Sequence, residues 1–274
     1  MLRFKRRLLS SALARSRKSK VAQEVICERV YRPLAHLVVS VLLPLRVPPP
    51  IVAVTAGATG TAAAIQLAQG KLLLAAILIQ AKTVLDNADG QLARLSGRIT
   101  VFGRYLDSEL DLFVNAALFA GLAVTTGRPV LAAAGFVALT IVLSVNYNGE
   151  RLYLVEHGED VSATPEADSR AAGFLRQLYL LLYAPQDRLV ERFVARRLRH
   201  AGPRERVAYH DRATLSVLAN LGMSTQLLAF GACIAVGRPA AFAFIALAEL
   251  GLVLLLALRR ELVIRVPGVR EGAA

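Results

Sequence analysis

The sequence predicts an all-α integral membrane protein with six transmembrane helices, an N-terminal interfacial amphipathic helix and a cytoplasmic amphipathic insertion. Three observations predict it. Hydrophobic residues fill 55% of the 274 positions and charged residues only 19%, against about a quarter in soluble domains. Uncharged runs reach the roughly 20 residues that a helix needs to cross the hydrocarbon layer. The 33 Lys and Arg, set against 20 Asp and Glu for a net charge of +13, alternate in density between the gaps separating those runs. Such a composition excludes a disordered or fibrous chain. The positive balance by itself suits nucleic acid or an anionic membrane surface; the apolar excess decides for membrane lipid and against nucleic acid.

The N-terminal segment, residues 1–46, carries an apolar patch (Leu8, Leu9, Ala12, Leu13, Ala14) too short for a cleavable signal, and Arg15, Arg17, Lys18 and Lys20 follow at once. Further on, Val21, Val25, Val30, Leu34, Leu37, Val38 and Val41 fall at helical spacing among basic residues, which predicts a helix lying on the cytoplasmic interface. Residues 47–70, 129–149 and 213–237 carry no charge, and 239–258 carry only Glu249. Two other apolar runs, 72–85 and 112–127, reach spanning length only by continuing into the charged stretches 86–94 and 103–111. The result is six helices in a domain over 47–260, two of them half polar, with a tail at 261–274.

The basic residues support that count. Eleven lie before residue 47, three between the second and third helices, eleven between the fourth and fifth, and four after the sixth. The alternate links hold one each, Lys71, Arg128 and Arg238, so 29 of the 33 fall on one side. By the positive-inside rule that side, with both termini, is cytoplasmic, and the setting is a prokaryotic inner membrane. The 158–212 link is long. It opens as a loop (162–168) and continues through a short apolar stretch at 174–183, read as interfacial. Leu189, Val190, Phe193, Val194 and Leu198 then share one helical face, with Arg188, Arg192, Arg196, Arg197 and Arg199 elsewhere. Such a helix lies on the anionic leaflet or on its own protein, or is a solvated linker. Cys27 and Cys233 are too few for a disulfide framework or a zinc site.

The chemistry sits where the two half-polar helices meet. Carboxylates at membrane depth are costly and mark function by default. Asp86 and Asp89 are three apart at the end of the second helix, and Asp107 and Asp111 four apart near the start of the third, so each pair shares a face. The short link makes the helices antiparallel neighbours and brings four acids together. Acids so crowded need cations, and oxygen-only ligands favour Mg²⁺ or Mn²⁺, with Ca²⁺ an alternative. Two such metals would form a clamp for phosphoryl transfer. Gly90 leaves backbone open for a phosphate or nucleotide, Ala93 keeps that face shallow, Gly103 shares the stripe of Asp107 and Asp111, and Arg94 is a planar donor suited to a diphosphate.

Asp86, Asp89, Gly90, Ala93, Arg94, Gly103, Asp107 and Asp111 reproduce the string D-x2-D-G-x2-A-R-x8-G-x3-D-x3-D. In this the chain resembles the CDP-alcohol phosphotransferases, also called CDP-alcohol phosphatidyltransferases; eight fixed positions at fixed spacing are highly specific. The resemblance implies a membrane enzyme that moves a substituted phosphate from a CDP-linked donor to an alcohol and releases CMP. It further implies that the aspartates hold two divalent metals, that Gly90, Ala93 and Arg94 line the nucleotide site, that Asp111 is the general base, and that the protein is a homodimer. General-base catalysis by a carboxylate agrees with the chemistry, because an alcohol is a poor nucleophile until its proton is taken. One departure stands out: Pro48-Pro49-Pro50-Ile51 precedes Thr55 where many members carry Pro-Asn, so no base-reading residue is assigned there.

Weaker signals stand beside these. Arg151 near the end of the fourth helix is a candidate for acceptor binding or a positive-inside anchor. Lys82, one turn before Asp86, balances the acids when metals are absent, or else snorkels or makes a structural ion pair. Glu109 falls on a different face from Asp107 and Asp111. Gly57 and Gly60 read as close helix packing. The donor expected is CDP-diacylglycerol with a small polar alcohol as acceptor, in phospholipid synthesis. The alternatives are a soluble CDP-alcohol donor, and, from another class, a divalent-cation binding or transport protein. A transporter places ionisable groups at mid-bilayer in repeated broken helices, which argues for the enzyme.

Overall fold

A computed structural model describes residues 20–159, 161, 167 and 169–264; side-chain descriptions stop at residue 262. The expectations for the first nineteen residues, for most of the 160–168 loop and for the tail from 265 lie outside the described residues. Within them the chain is all helical, with no strand. A π-helical turn, Cys27–Tyr31, leads into α1 (Arg32–Leu42). Then follow α2 (Pro49–Ala68), α3 (Leu72–Ser96), α4 (Val101–Thr126) and α5 (Pro129–Glu156). The insertion forms α6 (Arg170–Leu182), α7 (Ala184–Arg197) and α8 (Pro203–Tyr209). The chain closes with α9 (Arg212–Ala219), α10 (Met223–Ala235) and α11 (Ala240–Ile264).

The helix ends follow local rules. Proline starts α2 and α5, where a missing N–H costs nothing. Gly97 and Gly127, both left-handed, end α3 and α4. Thr100 caps α4 by accepting from the Gly103 N–H at 3.0 Å.

Five segments are long and apolar enough to cross a bilayer: Pro49–Ala68, Val101–Thr126, Pro129–Glu156, Pro203–Ala235 and Ala240–Leu262. The protein is an integral membrane protein. The sequence reading counted six crossings. Helix α3 has the length, at 25 residues, but Lys82, Asp86, Asp89 and Arg94 take its second half out of the apolar class. The crossing expected over 213–237 is not one rod either; α9 and α10 are separate helices, with α8 before them. The break between α9 and α10 has a cause. Glu24, from the N-terminal segment, accepts from the Thr225 N–H at 2.5 Å and its hydroxyl at 2.7 Å, placing a carboxylate on the first turn of α10. Gly222 admits it: a Cβ there would stand 2.5 Å from Glu24 Oε2.

The main core runs through α2, α3, α4, α5, α10 and α11, with Phe119 touching Phe136, Phe230 and Phe242 and the last two stacked at 4.3 Å. Small residues let α2 and α4 approach closely. A Cβ on Gly60 would lie 2.5 Å from Val114, and one on Gly121 would lie 2.7 Å from the Ala64 carbonyl. The close packing read from Gly57 and Gly60 is therefore what the helices use. The outside carries large apolar side chains such as Val54, Ile65, Leu73, Ile77, Val124 and Val130, as expected of surface facing lipid.

Glu249, unexplained by sequence, accepts from the buried Gln226 amide at 2.6 Å and so ties α11 to α10. Cys27 donates to Asn87 at 3.1 Å, and both cysteines are unpaired thiols.

Candidate active site

Helix α3 delivers Asp86 and Asp89 at its end, and α4 delivers Asp107 and Asp111 in its first turns. The turn at Gly97 folds one helix against the other. One carboxylate oxygen from each of Asp86, Asp107 and Asp111 lies within 4.8 Å of the others. Asp89 is not in that trio. It is buried beside it, and its Oδ2 has no hydrogen-bond partner. Helical spacing alone put four acids together; the structure gathers three and turns the fourth to a neighbouring pocket.

Lys82 is the cation of the cluster. It is 2% exposed, and its ammonium donates to Asp86 Oδ1 at 2.9 Å and also to Asp111 Oδ1. The ammonium is turned inward into these ion pairs and does not snorkel. Its stem fits because α2 presents Gly60 there, with the would-be Cβ only 3.2 Å from Lys82 Cγ. Four carboxylates face this single ammonium. Asp107 makes no ion pair among the described residues, and the buried Asp89 Oδ2 is an orphan acceptor. The donor set is oxygen only, and negative charge is left over. That is the chemistry of a site for hard divalent cations. Glu109 stands apart from the trio, as its helical phase implied.

Two cavities meet at these acids. The first, of about 330 Å³, is lined by Asp89, Gly90, Ala93, Arg94, Gly103 and Asp107, that is, by six of the eight motif residues. Its far wall is Pro49, Pro50 and Ala53 of α2, with Arg98, Ile99, Thr100 and Arg104 from the turn and the start of α4. Gly90 matters by its bareness: a Cβ there would press to 3.3 Å on the Arg94 guanidinium. The proline run, to which no role was given on sequence, forms part of this wall.

The second cavity, of about 190 Å³, opens on the other side of the trio, with Asp111 in its wall. Arg104 lines both cavities, and its guanidinium donates to the Tyr147 hydroxyl at 3.0 Å. The polar part of the second lining includes Asn115, Thr140, Ser144 and Tyr147, and Tyr179, Tyr183 and Asp187 of the insertion, with Met223 of α10 among the apolar members. Asp187, buried, accepts from Ser144 at 3.0 Å, Asn148 at 2.6 Å and Tyr179 at 3.1 Å. Tyr183 donates to the Ser108 carbonyl at 2.7 Å and stacks on Tyr179. Burial, and then the nearby carboxylates beginning with Asp111, raise the Tyr183 hydroxyl pKa. Burial, then Asp187, raises that of Tyr179. Both phenols therefore remain protonated donors.

Sequence reasoning missed this wall. The stretch 174–183 was read as interfacial, yet it packs on α4 beside the site through Tyr105 and Tyr179. One signal existed: Tyr179, Tyr183 and Asp187 are spaced i, i+4, i+8, a polar stripe on an otherwise apolar helical run. Arg151 is not part of either cavity; its guanidinium meets Glu191 of α7 and lies 3.5 Å from the Asn148 side-chain oxygen.

Comparison with known proteins agrees with the motif. Residues 38–201 match the family described as CDP-alcohol phosphatidyltransferase. The chain belongs to this family. A bifunctional IPC transferase and DIPP synthase of Rubrobacter xylanophilus is 38% identical over 85 residues, 31% of this chain and 20% of that protein. Its counterpart in Thermococcus kodakarensis is 40% identical over 81 residues, 29% and 19% of the two chains. An archaetidylinositol phosphate synthase of Aeropyrum pernix is 30% identical over 113 residues, 41% and 57%. The matches thus cover about a fifth of the bifunctional relatives and just over half of the archaetidylinositol phosphate synthase.

Proposed function

We propose that the protein transfers a phosphatidyl group from CDP-diacylglycerol to a small polar alcohol and releases CMP, as a step of phospholipid synthesis. The observation that carries this reading is the position of Asp111, which belongs at once to the acid trio and to the wall of the second cavity. A donor diphosphate in the first cavity and an alcohol in the second would meet at that carboxylate. Gly90, Ala93, Arg94 and Gly103 shape the donor cavity, which Pro49 and Pro50 also line. Arg94 and Arg104 offer planar donors to phosphate oxygens. Asp86, Asp89, Asp107 and Asp111 would hold two divalent cations, Mg²⁺ or Mn²⁺. When bound, such ions neutralise the charge that develops on the phosphates and the departing CMP.

Asp111 takes the proton of the acceptor hydroxyl as the oxygen attacks phosphorus and the bond to the CMP oxygen breaks, and Asp107 would hold a cation against the donor phosphates. The acceptor cavity favours an uncharged alcohol. It has one guanidinium, Arg104, shared with the donor cavity, and a buried acidic side chain, Asp187, that accepts from three donors. A phosphorylated acceptor would need more positive charge than this wall offers.

The same reading places α3 as the sixth crossing of a domain over 47–260, its polar half covered by α1, α2 and α10. Alternation of six crossings puts the acids, both termini and the basic insertion on the cytoplasmic face of a prokaryotic inner membrane. Helix α1 buries Ala35 and Val39 inward and exposes Leu37 and Val41 outward, which supports an interfacial position. Pairing into a homodimer is part of the proposal.

The test is CMP release by the purified protein with CDP-diacylglycerol, Mg²⁺ or Mn²⁺, and a panel of glycerol phosphate, inositol, inositol phosphate and serine. The lipid formed is identified by mass spectrometry. Metal-dependent CMP with one acceptor is the expected result. CMP from a soluble CDP-alcohol but not from the lipid donor would move the assignment to the other donor class. Divalent-cation uptake into proteoliposomes, with no CMP from any donor, would overturn the enzyme reading.

A further inference from the structure

A third cavity shares no lining residue with the other two. It is an open cleft of about 550 Å³ between α5, α7 and α11. Its walls are aliphatic, with Val145 and Leu152 from α5 and Val253 and Leu254 from α11, and Phe193 of α7 covers it. Three guanidinium groups, Arg192, Arg196 and Arg260, belong to its lining, and no carboxylate does.

Arg260 is the unusual member. It is 7% exposed, and its Nε and Nη2 are buried with no hydrogen-bond partner. The Tyr209 ring lies 5.4 Å from the guanidinium carbon, and the Asp211 carboxylate also acts on it from nearby. Nearby acids are already engaged: Asp211 accepts from the Thr214 N–H at 2.9 Å, the Thr214 hydroxyl at 2.6 Å and Arg259 at 3.3 Å, and Glu261 pairs with Arg197. A buried guanidinium edge left bare is expensive. Nε and Nη2 form one edge of the guanidinium, the fork that takes two oxygens of a single phosphate. An apolar cleft with a buried, under-partnered guanidinium in its wall and two more arginines beside it has the polarity profile of one lipid molecule.

We propose that the cleft is a site for an anionic glycerophospholipid of the surrounding leaflet. The lipid phosphate sits against the Arg260 guanidinium, one acyl chain lies along Val145, Val253 and Leu254, and Arg192 and Arg196 attract the headgroup charge. The site is separate from catalysis and needs only that the chain sits in a bilayer.

The experiment uses the full chain in nanodiscs of phosphatidylcholine with a fifth phosphatidylglycerol. It is then extracted into mild detergent, and the retained lipid is counted by native mass spectrometry. Wild type is expected to keep phosphatidylglycerol over phosphatidylcholine, and Arg260→Gln to lose that preference about fivefold, the effect of one basic side chain at an anionic surface. The exposed pair Arg192→Gln and Arg196→Gln, which leaves the core untouched, should weaken the preference in the same direction. Leu254→Trp should fill the cleft and lower retention of both lipids.

Equal phosphatidylglycerol retention by wild type and by a monodisperse Arg260→Gln protein would overturn the proposal. So would equal retention by the arginine pair variant. Inorganic phosphate raising the melting temperature as much as the lipid does would show an anion site with no use for the apolar cleft. Cross-linking of Leu254→Cys to Phe193→Cys between two copies would show a second chain in the cleft instead.

Discussion

The two walls that meet at Asp111 are made in different ways. The donor wall is nearly local: Asp89, Gly90, Ala93, Arg94, Gly103 and Asp107 come from one helical hairpin, and only the Pro49, Pro50 and Ala53 edge comes from elsewhere. The acceptor wall is assembled from α4, α5, the insertion and Met223 at the start of α10. It is tied together by Tyr183 to Ser108 and by Ser144, Asn148 and Tyr179 to Asp187. A hairpin fixes its geometry through helical phase and one tight turn. A wall of distant parts has its geometry fixed by tertiary hydrogen bonds. The donor wall is therefore the part suited to an invariant diphosphate, and the acceptor wall is the part that can be altered piece by piece.

The largest expected effect belongs to the residue both walls share. Asp111→Asn keeps the shape but removes the proposed base and one charge, and CMP release should fall by about 10²–10⁴-fold. Steady-state rates at saturating donor and acceptor check it. If the variant turns over at the wild-type rate, Asp111 is not where the two walls do their work.

The acceptor wall has a smaller and more selective weak point. Asp187→Ala leaves the Ser144, Asn148 and Tyr179 donors without their acceptor. A loss of about 1–3 kcal/mol is expected, which a KM for the alcohol raised by roughly 5- to 150-fold would report. The KM for the donor should stay put. A donor KM that rises equally would mean that the two walls are one mechanical unit.

This difference also explains what could be read from the sequence. The hairpin was legible because α-helical phase converts spacing into direction: i, i+3 and i, i+4 acids must share a face. The same rule does not fix where each carboxylate ends: Asp89 lines the donor cavity together with Asp107, beside the trio of Asp86, Asp107 and Asp111. Lys82 was placed beside Asp86 by phase, but its contact with Asp111 depends on the fit of α2 at Gly60. The acceptor wall was not legible because nothing in residues 170–187 says which helix they will pack on. Their apolar character looked the same as that of an interfacial segment. The five apolar segments were read from composition, whereas the break at 220–222 needed Glu24, some 200 residues away.

Packing around the cluster gives an intermediate effect. Gly60→Ala would set a methyl 2.5 Å from Val114 Cγ1 and 3.2 Å from Lys82 Cγ, so either α2 moves outward or the lysine shifts. Overpacking of this kind costs about 1–3 kcal/mol. A lower melting temperature in detergent, with reduced activity restored by nothing added, is expected. Unchanged stability would mean that α2 is not pressed on the cluster.

The smallest effect is expected at Arg151, and it bears on the comparison most directly. On sequence this residue was the candidate that would extend the acceptor wall with a positive charge. In the fold its guanidinium is spent on Glu191 of α7, whose carboxylate is partly exposed, so the pair fastens the insertion to α5 from behind the wall. A pair of this exposure is worth less than about 1 kcal/mol. Arg151→Gln should therefore lower the melting temperature slightly and leave the acceptor KM within about twofold, read alongside Asp187→Ala in the same assay. A KM rise confined to phosphorylated acceptors would instead return Arg151 to the acceptor wall, and with it a charged substrate.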